Sequence, residues 1–281
     1  MKILKYLAYS LVLGLMLASC TKHEILPDTR PAEDAEFQLH YFEPVVNQAS
    51  NYIDSVFVNG ILYSSVNGSG QLIPYNGVPG GSTGRFFSVK SGEVNFKFYR
   101  KDQVVYDKTC TLNPGKQNVI VHDMNLAPLV LDNQFPYPHT SEWVPGSIYT
   151  TDSISSIKFI NLLYEAPGQP YDGALQYQWQ HPRTKEWINL GTPVRFGEAT
   201  NREIITVVKT VYNSDGYCRI DYRILDEDGN VLQIGNSSGK MSNYSDWWNA
   251  TIGRAYMHFF RGNRLGGSYG PTCGVSVWTS L

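Results

Sequence analysis

Short runs of alternating apolar and polar residues constrain this chain most. In EVNFKFY, residues 93–99, Val94, Phe96 and Phe98 alternate with Asn95 and Lys97, so an extended backbone there has one dry face and one wet face. YCRIDYRIL, residues 217–225, repeats the pattern: Cys218, Ile220, Tyr222 and Ile224 share a face, with Arg219, Asp221 and Arg223 opposite. A sheet with one dry face must bury it against another layer. The expected fold is therefore all-β, built from antiparallel β-sandwich domains of immunoglobulin-like type. Composition agrees, with 19 Tyr, 12 Phe and only 17% charged residues against the roughly 25% of an average domain.

Turn chemistry divides the runs into two groups. In the first body, residues 36–133, strands are predicted at EFQLHYF (36–42), YIDSVFV (52–58), GRFFSVK (84–90), EVNFKFY, QVVYDKTCTL (103–112) and QNVIVHDM (117–124). Asn59-Gly60 joins the second of these to ILYS as a hairpin. Residues 134–148 hold three prolines and no periodicity, which marks a linker. The second body, residues 149–281, contains SIKFINLLY, ALQYQWQ, REIITVVKTVY, YCRIDYRIL, NVLQIG, RAYMHFFRG and GVSVWTS, with Asp228-Gly229 as a further hairpin turn. The one helix-like stretch spans 243–252.

Lys2 and Lys5 precede an uncharged apolar run that ends in small residues, the layout of a cleaved secretory signal over residues 1–19. The run is too short to span a bilayer, which takes about 20 apolar residues. Leu17-Ala18-Ser19-Cys20 resembles the lipobox of bacterial lipoproteins, which implies a lipidated Cys20 as membrane anchor. Residues 20–35, polar and proline-bearing, then read as anchor and tether. Thr21 is not the Asp that retains lipoproteins in the inner membrane of enteric bacteria, so the outer membrane is the expected location, with the body on the periplasmic or the external side.

The 23 basic side chains less Lys2 and Lys5 leave 21 against 25 acidic ones, a formal charge of −4. That balance argues against nucleic acid as a partner. With Cys20 lipidated, Cys110, Cys218 and Cys273 remain. Cys218 and Cys273 either form a disulfide or stay as buried thiols; spacing alone does not decide.

Few motifs point to chemistry. Gly235-Asn236-Ser237-Ser238-Gly239 has the letters of a nucleophile elbow without the strand-turn-helix context that the elbow needs, so it reads as a turn. Asp226-Glu227-Asp228-Gly229-Asn230 lacks the later ligands of a calcium loop. The six histidines show no metal-ligand spacing, and nothing calls for a cofactor; His40 and His122, on strands among aromatics, are strand histidines in preference to haem ligands. Aromatic residues have more reach. Tyr244, Trp247 and Trp248 lie together in NYSDWWNA, and Trp179 and Trp187 flank QHPRTKE. Flat rings beside Asn, Asp and Arg suit a sugar site; the competing reading is core packing, with one of the adjacent tryptophans in and one out.

Two segments, FQLHYFEPVVNQASNYIDSVFVNG (37–60) and IKFINLLYEAPGQPYDGALQYQ (157–178), resemble the repeat openings of a bacterial family known only as domain of unknown function 4397. Asn161, Ala166 and Pro167 match its Asn-x-x-x-x-Ala-Pro signature, and Val56 to Gly60 match its hairpin. The resemblance ends near Gln178. It implies a surface lipoprotein of the Bacteroidetes kind and carries over no catalytic residue. Asp54-Ser55-Val56 and Asp152-Ser153-Ile154 likewise resemble the sites at which exported Bacteroidetes proteins are O-glycosylated, on Ser55 and Ser153. The expected protein is thus a non-catalytic, membrane-anchored envelope lipoprotein that binds glycan or another envelope protein. Its rivals are a structural or adhesin-like subunit, and a hydrolase with two converging carboxylates.

Overall fold

The computed structural model describes residues 33–66, 70–81, 84–138, 152–208, 217–266 and 273–280; the expected leader, Cys20 and most of the tether and linker lie outside them. Residues 33–281 form one compact unit. Its first half contains strands β1 (Asp34–Tyr41), β2 (Ser55–Val58), β3 (Ile61–Ser65), β4 (Asn76–Val78), β5 (Phe87–Lys90), β6 (Gly92–Arg100), β7 (Gln103–Leu112), β8 (Gly115–Val121) and β9 (Leu129–Asp132). Its second half contains β10 (Asp152–Ala166), β11 (Gln169–Pro170), β12 (Gln176–Gln180), β13 (Trp187–Asn189), β14 (Glu203–Val208), β15 (Cys218–Leu225), β16 (Gln233–Gly235), β17 (Met241–Asn243), β18 (Ser245–Ala250), β19 (Ala255–Asn263) and β20 (Gly274–Thr279). The chain is all-β and folds as sandwiches. Asn59 (φ 48°) and Gly60 (φ 78°) both occupy the left-handed region, as the two-residue hairpin between β2 and β3 requires.

The helix expected at 243–252 is absent: residues 245–250 form β18, paired with β15 from Cys218↔Ala250 to Arg223↔Ser245. Cross-strand pairing overrides local propensity here.

One strand plan occurs twice. The outer sheet of the first half runs β3-β2-β6-β7 and that of the second runs β13-β12-β15-β18. The inner sheets run β4-β1-β8-β9, with β5 also on β1, and β11-β10-β19-β20, with β14 also on β10. In each inner sheet the central pair is parallel, β1 with β8 and β10 with β19, so these sheets are mixed where the sequence predicts antiparallel ones. Parallel central strands are characteristically covered on both faces, and these are. Phe37, Leu39 and Tyr41 of β1 with Val119 and Val121 of β8 enter the core of the first sandwich. Ile157, Phe159 and Leu163 of β10 with Tyr256 and Phe260 of β19 enter the core of the second. The opposite faces meet in a third cluster of Phe42, Ile120, Ile160, Leu162, Met257, Phe259 and Trp278. Each such side chain contributes about 1.5–3 kcal/mol when buried, so the two inner sheets are held back to back.

Several polar groups in this seam are paired across it, which offsets the cost of their burial. Gln38 Nε2 donates to the carbonyl of Thr279 at 3.0 Å, and Lys158 Nζ donates to that of Asp132 at 2.7 Å. His122 Nδ1 meets the Tyr164 hydroxyl at 2.7 Å. Arg202 donates to Asn133 Oδ1 at 2.7 Å and stacks on Tyr137 at 4.7 Å, so residues 133–137, at the start of the predicted linker, are docked on the second half. Trp278 packs edge-on to His40, ring centroids 4.5 Å apart, and lies over Gly81, where a Cβ would come within 2.6 Å of the indole.

His40 accepts an amide N–H of Asn118 on Nε2 at 2.8 Å, and Nδ1 of His258 meets the Tyr177 hydroxyl at 3.1 Å. Both imidazoles are fully buried, and that burial lowers their pKa from the usual 6.5 to about 3. Between those values the unfolded chain binds protons that the folded chain refuses, so stability must fall as pH drops from 6.5 toward 3. Each histidine adds up to about 1.4 kcal/mol per pH unit to that slope. The expected result is a urea midpoint that declines from pH 6.5 to 5, with a shallower decline in His258→Phe; a pH-independent midpoint would contradict the neutral burial of both rings.

Candidate functional site

The outer face of β13-β12-β15-β18 carries the site. β15 alternates as its sequence predicts: Cys218, Ile220, Tyr222 and Ile224 are buried, and Arg219, Asp221 and Arg223 lie on the wet face. Registers Gln180↔Trp187 and Asp221↔Trp247, with Gln180 and Asp221 each one residue beyond the last β12–β15 pair Trp179↔Tyr222, bring one row together across the four strands, in the order Trp187, Gln180, Asp221, Trp247. Strands lie about 4.8 Å apart, so the backbones that carry the two tryptophans are roughly 14 Å apart, with polar groups between them. Gln180, Trp187, Arg219, Asp221, Ser245 and Trp247 line an open cleft of about 590 Å³.

Each indole in the row carries a guanidinium. Arg219 Cζ lies 4.7 Å from the Trp247 ring centre and Arg223 Cζ lies 4.3 Å from that of Trp187, contacts worth about 0.5–1 kcal/mol at exposed positions. Arg219 is also ion-paired to Asp221, Nη2 to Oδ1 at 2.7 Å, which adds at most about 1 kcal/mol in solvent. Arg223 Nε donates to Gln178 Oε1 at 2.8 Å, and Gln178 Nε2 donates to Asn189 Oδ1 at 2.6 Å. Asp246, opposite Tyr222, is exposed at the rim of the same cleft; it accepts the Tyr222 hydroxyl at 3.3 Å and the N–H of Trp247 at 2.8 Å.

Of the aromatics expected to bind ligand, Trp187 and Trp247 are brought together on this face, with Trp247 47% exposed. Trp248, Tyr244 and Trp179 are buried in the second core, a correction that follows from β18 and β12 being strands. Trp248, 6% exposed, packs edge-on to Tyr256 and His258 at 4.6 Å each. Tyr177 and Tyr222 stack at 5.1 Å, and the Tyr222 and Tyr244 hydroxyls meet at 3.2 Å. Burial pushes all three phenols well above their usual range. Arg219, Asp221 and Arg223 were not singled out by sequence as site residues, although the alternation of 217–225 puts them on the wet face; the missing knowledge was that β13 and β18 flank them with tryptophans.

The other residues of interest fall elsewhere. Cys110, Cys218 and Cys273 are free thiols, with Cys218 and Cys273 in the same core, so of the two alternatives the structure holds the buried thiols; burial raises the Cys273 pKa to about 12. Ser55 is half-buried in β2, and Ser153 is buried in β10, where the folded chain would have to open to admit a glycan. Cys20 lies outside the described residues. Residues 235–239 close the β16–β17 hairpin, with the Asn236 side chain capping Ser238 and Lys240. Asp226 Oδ1 is taken by the N–H groups of Asp228 and Asn230, as in a tight turn. Among the described residues there is no cluster of three or more metal-ligating side chains, and no helix is long and apolar enough to cross a membrane, a criterion silent on β-barrels.

No protein-family model matches this chain, and no curated protein matches it. Among solved structures it aligns with a leucine-rich repeat protein from Bacteroides thetaiotaomicron at 7% identity, TM-score 0.20, over 84% of this chain and 27% of that one. It also aligns with the Bacillus anthracis TIE protein at 7% identity, TM-score 0.23, over 83% and 34%. The chain thus spans about a third or less of those proteins, and likeness at such TM-scores bears on neither fold nor function.

The in-and-out placement of the adjacent tryptophans has a measurable consequence. Trp248→Ala is expected to lower stability by about 3–5 kcal/mol through the cavity it leaves, and Trp247→Ala by less than about 1 kcal/mol. Urea denaturation of the two variants checks this; equal losses would contradict it.

Proposed function

We propose that this protein is a glycan-binding lipoprotein of the bacterial outer membrane, anchored through Cys20 and presenting the outer face of its second sandwich to its ligand. The observation that carries the reading is the single row of Trp187, Gln180, Asp221 and Trp247 across four strands. Indole faces stack on the C–H faces of sugars while amides and carboxylates take hydroxyls. A rigid sheet holds such groups without an ordering cost on binding. Binding is favoured over glycoside hydrolysis because both cleft carboxylates are engaged by the protein, Asp221 by Arg219 and Asp246 by the Tyr222 hydroxyl and the N–H of Trp247, whereas hydrolysis takes one carboxyl group that gives a proton and a second that attacks or activates water. The lipobox-like Leu17 to Cys20 and the family resemblance at 37–60 and 157–178 support the envelope setting.

A structural or adhesin-like role is the second reading. It draws on β3, an edge strand of the first outer sheet with Ile61 63% and Leu62 50% exposed, the kind of edge that pairs with another chain.

Affinity electrophoresis of the full-length chain in non-ionic detergent, through gels that contain host or dietary polysaccharides, tests the first reading. Retardation by at least one glycan, lost in Trp187→Ala and Trp247→Ala while Ile61→Ser behaves as the unaltered protein, is the expected result. No retardation by any glycan would overturn it in favour of the structural role. For the anchor, Cys20→Ser is expected to abolish incorporation of labelled palmitate, and continued incorporation would rule Cys20 out.

A further inference from the structure

The two arginines of the tryptophan face are not equivalent. Arg219 is neutralised by Asp221 at 2.7 Å. Arg223 has no carboxylate in ion-pair range among the described residues; its contacts are the Trp187 ring at 4.3 Å and Gln178 Oε1 at 2.8 Å through Nε. Gln178 is fixed in turn by Asn189 at 2.6 Å. The rail Asn189–Gln178–Arg223 therefore ties down the Nε edge and the flat face of the guanidinium. The Nη1/Nη2 end, the fork that takes a planar carboxylate or two oxygens of a sulfate, has no acceptor among the described residues. Of the charged groups around this cleft, Arg219 is paired with Asp221 and Asp246 is bound by the Tyr222 hydroxyl and the N–H of Trp247, which leaves Arg223 as the cation without an ion-pair partner among the described residues. Held flat against one of the two indoles, it is placed for an anionic group on a ligand stacked there.

From this juxtaposition we infer that the face selects acidic saccharides, with Arg223 receiving a carboxylate or sulfate ester while Trp187 or Trp247 stacks on a sugar ring. The inference rests on the glycan-binding reading above and adds the ligand's charge class and the residue that recognises it. Such a complex is partly electrostatic and weakens as salt rises, because Arg223 is only partly shielded from solvent.

The test compares polymers that differ only in charge: polygalacturonate against its methyl ester, and dextran sulfate against dextran. Each is run by affinity electrophoresis with the full-length chain in non-ionic detergent and with Arg223→Gln, Arg223→Lys and Trp187→Ala. The expected result is binding at least tenfold tighter to one acidic polymer than to its neutral partner. Arg223→Gln should bring the affinity for the acidic polymer down to that for its neutral partner, with a urea midpoint lowered only by the lost stacking contact. Arg223→Lys should retain part of the preference, since it keeps the charge and loses the fork. Preference for the uronate pair identifies the carboxylate, and preference for the sulfated pair identifies the sulfate. Equal affinity for charged and neutral polymers, or an acidic preference that survives Arg223→Gln, overturns the inference and leaves the glycan-binding reading standing if Trp187→Ala abolishes binding. No binding to any of the four polymers overturns the inference, and the fate of the glycan-binding reading then rests on the wider panel.

Discussion

Burial of β1, β8, β10 and β19 on both faces is the constraint from which the rest of the structure follows. Once those strands are covered on two sides, the two inner sheets lie back to back, and each outer sheet keeps one wet face. Polar groups inside the seam then need partners, and Gln38, Asn118, Lys158, Arg202 and His122 find them across or along it. Two histidines are held neutral by the same burial. The described sheets of residues 33–281 stack in four layers, with their cohesion in the middle and a free face on each outer sheet.

That arrangement concentrates recognition on the outer sheets. The first outer sheet presents Lys97 paired with Asp107 at 2.9 Å and the Phe57–Tyr99 contact at 5.4 Å, a mixed surface whose charges cancel. The second presents two tryptophans, each under an arginine, around a polar floor. The strand plan is shared by the two halves, but only the second has substituted indoles at the outward positions of both edge strands.

Local alternation made the outer strands legible. EVNFKFY and YCRIDYRIL face the way their pattern predicts because each has water on one side. The inner strands are harder to read for their role: FQLHYF alternates like an outer strand, with Gln38 and His40 on the face opposite Phe37, Leu39 and Tyr41, and only the parallel partner and the opposing sheet explain why that polar face is buried. NYSDWWNA was misread as helix-like because no period shows in so short a segment, and its pairing with β15 lies more than 20 residues away in sequence. The same error hid the site, since a helix would have kept Trp247 and Trp248 within reach of one another's surface while a strand sends them to opposite sides. β13, three residues long, gives no periodic signal at all, so the convergence of Trp187 on Trp247 depends on register that sequence alone did not supply.

The most direct test of a ligand face on the second outer sheet is a ¹⁵N-indole spectrum of the tryptophan-labelled protein, titrated with the oligosaccharide of whichever polymer retards it. The chain has six tryptophans, and single Trp→Phe variants assign their resonances. The account predicts that Trp187 and Trp247 shift together and saturate at one Kd, while Trp179, Trp248 and Trp278 stay in place. Binding with both of those resonances unmoved would contradict it.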